Sequence, residues 1–186
     1  MIATFIEGTR FDLKSVEYDH AEVFLTEIEK SRSFLDARLP WVRATQTIED
    51  ALRFIDSYSL QREMDNGGLW GLFHKKDGAF MGCICLQWVE WEHLSTSIGY
   101  WLLNRFTGNG YATEALKLIS HYAFNSLKLN RLEEDVAINN PKSIALLERV
   151  GFQEEGLFRE YTRLNGVFLN HRRFSLLSTD MAATRL

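Results

Sequence analysis

Hydrophobic and polar positions change period several times along the chain, and each change predicts a helix or a strand. Over residues 21–28 and 48–59 apolar side chains recur every three or four positions, which is typical of amphipathic helices. Thr47 and Asp50 have the spacing of a capping box at the start of the second helix. The glycine pair Gly67-Gly68 ends this helical region.

Strand-like segments dominate the rest of the chain. Lys76-Asp77-Gly78 and Asn165-Gly166 are typical of tight hairpins. Helical periodicity predicts a long helix over Gly110–Leu127 and a short one over Pro141–Val150. We predict strands, in chain order, at Phe11–Val16, Leu69–His74, Phe80–Trp88, Ser95–Leu103, Arg131–Ile138, Phe152–Leu164 and Val167–Leu177.

The order of these elements predicts the fold class. The passage from Ser95 to Ile138 is strand–helix–strand and needs a crossover. Its two strands should therefore lie parallel inside an otherwise antiparallel sheet. No repeat or linker interrupts the chain, so we predict one domain, residues 1–186, with a mixed α/β (α+β) fold.

Composition narrows the class of protein without giving a function. The 186 residues are 46% hydrophobic and 25% charged, as is usual for a globular domain. The net charge of −4 favours cationic partners such as amines, and we expect no direct nucleic-acid binding. No apolar run is long enough for a membrane span. Cys83 and Cys85 share one face of a strand, which predicts buried thiols and a reducing, cytoplasmic location.

The turn between Leu103 and the helix beginning near Gly110 is the candidate binding site. It contains Arg105, Gly108 and Gly110. Glycines allow the backbone to approach a ligand closely, and a helix N-terminus adds unpaired N–H groups with partial positive charge. Together with the charge of Arg105, this arrangement predicts a pyrophosphate cradle. Glycines that serve only the turn are the alternative interpretation.

Two segments resemble the GNAT superfamily of N-acetyltransferases. Arg105-x-x-Gly108-x-Gly110-Tyr111-Ala112, after Ile98-Gly99-Tyr100-Trp101, resembles its acetyl-CoA signature. Asn139-Asn140-Pro141-Lys142-Ser143, followed by Glu148-Arg149-Val150-Gly151-Phe152, resembles its second cofactor segment.

The ends of the chain resemble one branch of that superfamily, the RimJ/RimL-like ribosomal-protein N-acetyltransferases. The segments that carry this resemblance are Phe34–Trp41 and Glu155–Leu177. It implies a mostly antiparallel sheet in which one parallel strand pair splays apart at the cofactor site, with helices on both faces. It also implies a possible homodimer.

The resemblance implies acetyl-CoA as co-substrate and no metal cofactor. The residues that it assigns to the cofactor are Trp101, Leu102, Leu103, Arg105, Gly108, Asn109, Gly110, Tyr111, Ala112, Asn140 and Ser143. Asn140-Pro141 is also a good helix start, with asparagine as N-cap and proline at the first helical position. The histidines show no metal-ligand spacing.

Attack of an amine on a thioester benefits from a base for the amine and needs a proton for the thiolate. Ser143 is the candidate acid, because the short helix should bring its hydroxyl near the sulfur. Glu90 matches an acidic position of RimL-like relatives and is the candidate base, with Glu92, His93 and Glu160 as further candidates. Many relatives have glutamate and tyrosine where this chain has Ser97 and Leu147, so catalysis by positioning and desolvation, without a standard acid–base pair, is the alternative.

The function implied is transfer of an acetyl group from acetyl-CoA to a primary amine, in the first place the α-amino group of a protein N-terminus. The alternatives are a small-molecule amine as acceptor and a non-enzymatic acetyl-CoA or nucleotide binder. A dinucleotide oxidoreductase is a further alternative, with Gly108-x-Gly110-x-x-Thr113 as a degraded glycine motif and Asp135 as ribose acid. Trp41, Trp88 and Trp91 are candidates for the acceptor pocket or for core packing.

Overall fold

An eight-stranded sheet organises the molecule. The computed structural model describes residues 1–183. In this part of the chain the sheet order is β1-β2-β3-β4-β5-β6-β8-β7, and only β5 and β6 pair in parallel, as the crossover predicted. The strands are β1 Phe5–Ile6, β2 Phe11–Ser15, β3 Gly68–His74, β4 Phe80–Glu90, β5 Ser95–Leu102, β6 Arg131–Ala137, β7 Gln153–Leu164 and β8 Val167–Leu177.

Helices cover both faces of the sheet. They are α1 Ala21–Lys30, α2 Arg32–Asp36, α3 Trp41–Ala44, α4 Ile48–Glu63, α5 Tyr111–Asn125, α6 Pro141–Val150 and α7 Ser178–Ala183. The predicted capping box is confirmed, since Thr47 and Asp50 exchange side-chain-to-backbone hydrogen bonds of 2.8 and 3.2 Å. Sequence analysis missed β1, α2, α3 and α7, because segments this short contain too few residues to show a period.

A separate hydrophobic core lies on each face. Helices α5 and α6 pack on one face through side chains such as Leu116, Ile119 and Leu147. Helices α1 to α4 pack on the other through Phe24 and Ile55, among others. The predicted placement of helices on both faces is therefore confirmed. No helix in residues 1–183 is long and apolar enough to cross a membrane.

The parallel strand pair separates soon after it begins. Strands β5 and β6 pair only from Ser95 with Arg131 to Ser97 with Glu133. Beyond this point β5 continues along β4 to Leu102, and β6 continues along β8 to Ala137. The two strands thus form a V whose open end faces the N-terminus of α5, and this opening positions the candidate site.

Candidate active site

The turn between β5 and α5 presents a row of free backbone N–H groups. Gly108 and Gly110 have φ angles of +79° and +77°, and Gly110 is the N-cap of α5. Glycine adopts this left-handed conformation without the steric penalty of a side chain. Within residues 1–183 no acceptor takes a hydrogen bond from the N–H groups of residues 108 to 113. This geometry is that of an anion-binding helix N-terminus.

Arg105 is held outside the cleft. Its Nη1 lies 2.5 Å from Glu27 Oε2 on α1, and its guanidinium lies over the Phe106 ring. Burial favours the neutral form of Glu27, but bonds to Arg105 and Lys30 outweigh burial and lower its pKa. The structure therefore places the charge of Arg105 on α1 and not in the predicted cradle, because the mostly buried Glu27 needs a cation.

Arg10 supports the turn from the other side. Its Nη1 donates to the carbonyl oxygen of Asn109 at 2.9 Å, and its Nε bonds Glu114 at 2.6 Å. Its guanidinium also lies 4.2 Å from the centre of the Tyr111 ring. Sequence analysis missed Arg10, since no local pattern links it to a turn about one hundred positions later.

A cleft of about 1310 Å³ runs from this turn through the open V of the sheet. Its volume exceeds the roughly 300–1,000 Å³ usual for a small-molecule pocket, so it has room for two substrates. Basic side chains line it at Arg38, Lys117, Lys142 and Arg149, and acidic ones at Glu114, Glu134 and Asp135. Charges of both signs therefore face the cleft.

Ser143 lies in the cleft wall at the start of α6. Asn140 is the N-cap of this helix, and its side chain accepts a hydrogen bond from the Ser143 N–H at 3.4 Å, with Pro141 at the first helical position. The Ser143 hydroxyl lies 2.5 Å from the hydroxyl of Tyr100. Burial raises the pKa of Tyr100, so this phenol stays protonated. The sequence places Tyr100 in the acetyl-CoA signature, but no local pattern predicts its contact with Ser143.

The end of β5 has one open edge. From Ile98 to Leu102 this strand pairs with β4 but has no partner on the β6 side. Trp101 and Leu102 both line the cleft. Leu103 does not, because its side chain is fully buried and its N–H donates to the carbonyl oxygen of Met81.

The structure does not bring the predicted base into the cleft. Glu90 is exposed at the end of β4, opposite Ser95, and so lies at the closed end of the V. Three further candidates are exposed and also lie outside the cleft lining: Glu92, His93 and Glu160. Two positions differ from many relatives, which have glutamate and tyrosine there. Of these, Ser97 pairs with Glu133 in the sheet, and Leu147 is fully buried.

The three tryptophans that were candidates for the acceptor pocket do not line the cleft. Trp41 stacks on Phe54 with 4.7 Å between ring centres, and Trp88 and Trp91 are exposed. The wall of the cleft opposite α5 and α6 is formed instead by residues 34–40 and by the β7–β8 hairpin, including Thr162 and His171. Neither segment has a sequence pattern that marks it as an acceptor wall.

The structure argues against a dinucleotide-binding oxidoreductase, because the candidate ribose-binding carboxylate, Asp135, is already bound by another side chain. Asp135 binds Arg173 through both carboxylate oxygens, at 2.8 and 2.7 Å. A carboxylate committed to such a bidentate ion pair is not free to bind a ribose hydroxyl.

Comparison with known proteins decides the family. Residues 10–153 match the acetyltransferase (GNAT) domain family. The chain belongs to this family. It is accordingly an N-acetyltransferase of the GNAT type, which excludes the non-enzymatic interpretation.

Individual relatives agree with this assignment. The probable N-acetyltransferase YjcK of Bacillus subtilis is 32% identical over 178 residues, which cover 94% of this chain and 98% of YjcK. The ribosomal-protein-serine acetyltransferase of Escherichia coli is 24% identical over 168 residues, covering 90% and 93% of the two chains.

Solved structures of low sequence identity share the fold. RimL, a ribosomal alpha-N-protein acetyltransferase in complex with coenzyme A, has a TM-score of 0.87 at 20% identity, covering 93% of this chain and 97% of RimL. The microcin self-immunity acetyltransferase MccE, in complex with acetyl-CoA and AMP, has a TM-score of 0.85 at 22% identity, covering 90% and 92%.

Proposed function

We propose that this protein transfers the acetyl group of acetyl-CoA to the α-amino group of a protein N-terminus. The observation that carries the proposal is the run of free N–H groups at residues 108–113, beside a cleft that continues to Ser143. A helix N-terminus of this kind binds phosphate through its amides and its dipole. The pyrophosphate therefore lies on Gly108, Asn109, Gly110, Tyr111 and Ala112.

Basic side chains along the cleft suit the remaining phosphate of the coenzyme. Lys117 lies on α5, and Lys142 and Arg149 lie on α6, so the three positive charges flank the cleft between these helices. Arg105 serves the cofactor indirectly in this proposal. Its ion pair with Glu27 fixes the backbone that leads into the glycine turn.

The open edge of β5 suits the pantetheine arm. An extended ligand with amide groups adds to such an edge as a further strand would. The backbone of Trp101 and Leu102 offers this edge, and Leu103 ends it. Asn140 and Ser143 face it from the N-terminus of α6, so the thioester lies beside the Ser143 hydroxyl.

The chemistry follows from this placement. The amine attacks the thioester carbon, and a backbone N–H of β5 near Leu102 stabilises the oxyanion. The Ser143 hydroxyl, bonded to Tyr100, gives the departing thiolate its proton. Glu90 lies on β4 opposite Ser95, at the closed end of the V, so another group must serve as the base.

The acceptor is proposed by analogy and needs a direct test. The Escherichia coli relative named above acts on a ribosomal-protein serine, which supports a protein N-terminus. A spermidine N(1)-acetyltransferase of Vibrio cholerae is 28% identical over 99 residues and supports a small amine as the second candidate. The free, buried thiols of Cys83 and Cys85 suit a cytoplasmic location, and a homodimer is proposed from the branch resemblance alone.

The experiment is mass spectrometry of candidate acceptors incubated with the protein and acetyl-CoA. We expect a gain of one acetyl group on peptides with a free N-terminal serine, alanine or methionine. Matched peptides with a blocked N-terminus and an internal lysine are the control and should stay unmodified. Transfer to spermidine but to no peptide would favour the small-amine acceptor, and transfer to no amine would contradict the proposal.

A further inference from the structure

Glu134 occupies the point where the sheet splits. Glu133 forms the last residue pair between β5 and β6, and Glu134 is the next residue on β6. It lines the cleft together with Tyr100 and Ser143. Since side chains alternate along a strand, Glu134 shares a face with the buried Leu132 and Val136, against which α5 and α6 pack. A half-buried carboxyl group thus lines the cleft on the face that carries these apolar side chains.

This carboxyl group differs from its two neighbours in having no bonded partner. Glu133 bonds Arg131 at 2.6 Å, and Asp135 binds Arg173. Within residues 1–183 the side chain of Glu134 forms no hydrogen bond and no ion pair, although its backbone pairs with Phe174 on β8. A half-buried carboxylate without a partner still costs free energy of folding, so its presence in a cleft points to a role in chemistry.

The surroundings of Glu134 favour its protonated form. Burial raises the pKa of Glu134 well above its usual range, and the negative charge of Asp135 adds to this effect. Burial, together with the charge of Glu134, raises the pKa of the Cys85 thiol on β4 to about 11 and that of Tyr100 on β5 further still. The other charged or titratable groups that line the cleft are Arg38 after α2, Tyr111, Glu114 and Lys117 on α5, Lys142 and Arg149 on α6, and His171 on β8.

We propose that Glu134 is the catalytic base of the acetyl transfer and that it returns the proton through Tyr100 and Ser143 to the leaving thiolate. This inference rests on the proposed function. The amine nitrogen forms a bond to the thioester carbon, and its proton passes to the Glu134 carboxylate. The carbon–sulfur bond then breaks, and the sulfur keeps the electron pair.

The proton balance closes within the protein. The thiolate takes the hydroxyl proton of Ser143, and Ser143 takes that of Tyr100. Tyr100 takes the proton that Glu134 received by way of a bridging water, because the two side chains are not hydrogen-bonded to each other. One proton thus moves from nitrogen to sulfur, and all three residues return to their starting forms. The 2.5 Å contact between Tyr100 and Ser143 supplies the middle step of this path.

The test compares Glu134→Gln with Glu148→Gln. Glutamine keeps the shape of the side chain and removes its ionisation. Glu148 is an exposed glutamate on α6 that does not line the cleft, so its variant should behave as wild type. With a peptide or amine that the wild type acetylates, E134Q should lower kcat/KM by about 100-fold, the lower end of the usual effect of an acid–base group. The dissociation constant of acetyl-CoA should change by less than about threefold.

Two further readouts separate a base from a structural residue. In the wild type, kcat/KM should rise with pH through the pKa of Glu134, and E134Q should lack this limb because glutamine does not titrate. A raised pKa in the folded state also makes the wild type lose stability as pH rises from the unfolded carboxyl pKa to the folded one. E134Q should therefore melt at a higher temperature than the wild type, with a larger difference at pH 8 than at pH 5.

Each outcome decides one of the two proposals. If the wild type transfers acetyl groups and E134Q keeps its kcat/KM and its pH profile, the inference is wrong and the proposed function stands. A higher melting temperature with unchanged kinetics would assign Glu134 a structural role only. If the wild type neither binds acetyl-CoA nor acetylates any amine, the proposed function fails first and the proton path fails with it.

Discussion

The hydroxyl oxygens of Tyr100 and Ser143 lie 2.5 Å apart, although 43 positions separate the two residues in the chain. This contact joins β5 to the first turn of α6 across the cleft. It fixes the distance between the two cleft walls. It also orients the Ser143 hydroxyl, which Asn140 alone would leave free to rotate, because Asn140 bonds only the Ser143 N–H.

Removing either hydroxyl should slow transfer without weakening cofactor binding. We expect Ser143→Ala and Tyr100→Phe each to lower kcat/KM by about 10- to 100-fold, since each breaks the path of the proton to sulfur. The double variant should be no slower than the slower single variant, because the two hydroxyls act as one unit. Steady-state kinetics of the four proteins measure this, and losses that multiply would show independent roles.

Substitution of Gly108 should weaken binding through the backbone alone. A Cβ atom at this position meets nothing within 4 Å, but φ is +79°. Alanine costs about 1–2 kcal/mol in the left-handed conformation, so Gly108→Ala should raise the acetyl-CoA dissociation constant by about 10-fold.

Two companion variants control this prediction. Gly156 is equally open but has no positive φ, so Gly156→Ala should bind as wild type does. Asparagine tolerates the left-handed conformation, so Gly108→Asn should bind more tightly than Gly108→Ala. Calorimetric titration measures all three, and equal affinities for the two Gly108 variants would contradict the role of the turn conformation.

Local signals in the sequence were sufficient for the four longer helices, the hairpins and the glycine turn. Thr47 and Asp50, Asn165-Gly166 and Gly108 act through neighbours within a few positions, where one chain segment contains all the information. The parallel pairing of β5 with β6 was predicted because a helical crossover connects the two strands. These parts of the fold were therefore predicted correctly.

Contacts between distant segments were not predictable. The pairing of Arg105 with Glu27 joins residues 78 positions apart, and no pattern around Arg105 shows that its charge is used on α1. The position of Glu134 in the cleft depends on the residue pair at which β5 and β6 separate, and no sequence pattern predicts that pair. Glu90 was chosen by resemblance, but the register of β4 on β5 places it at the closed end.

Loss of Arg105 should reduce stability more than cofactor affinity. In Arg105→Met the mostly buried Glu27 keeps only Lys30, and we expect a loss of about 1 kcal/mol at pH 7, the size of a partly exposed ion pair. The pKa of Glu27 is lowered in the folded state, so this stabilisation is complete above the unfolded pKa of about 4.3 and is lost as pH falls through the folded pKa.

Urea unfolding of wild type and Arg105→Met at pH 7 and below pH 4 measures this difference. It should shrink at the lower pH. Arg53→Met is the control, because Arg53 pairs with Asp50 at an exposed site and should matter little. A fall in acetyl-CoA affinity larger than that of Gly108→Ala would instead show that Arg105 binds the coenzyme directly.

The basic residues of the cleft should contribute to affinity only through the phosphate groups of acetyl-CoA. The double variant Lys142→Gln with Arg149→Gln should weaken acetyl-CoA binding by about 10-fold at low salt and by less at 0.5 M salt, because screening reduces charge interactions. Its affinity for S-acetyl-pantetheine, which lacks the nucleotide, should not change. Lys76→Gln, in the exposed β3–β4 turn, is the control. Equal losses for both ligands would place these residues elsewhere than at the phosphates.

The most direct test of the central claim is an NMR titration of the ¹⁵N-labelled protein with acetyl-CoA. The account predicts that the backbone amide resonances of residues 108–113 shift most, since these N–H groups gain phosphate oxygens as acceptors, and that NADH at the same concentration leaves them unmoved. Two results would contradict this account. In one, the amide resonances of this turn stay in place while acetyl-CoA binds elsewhere; in the other, they shift with NADH and not with acetyl-CoA.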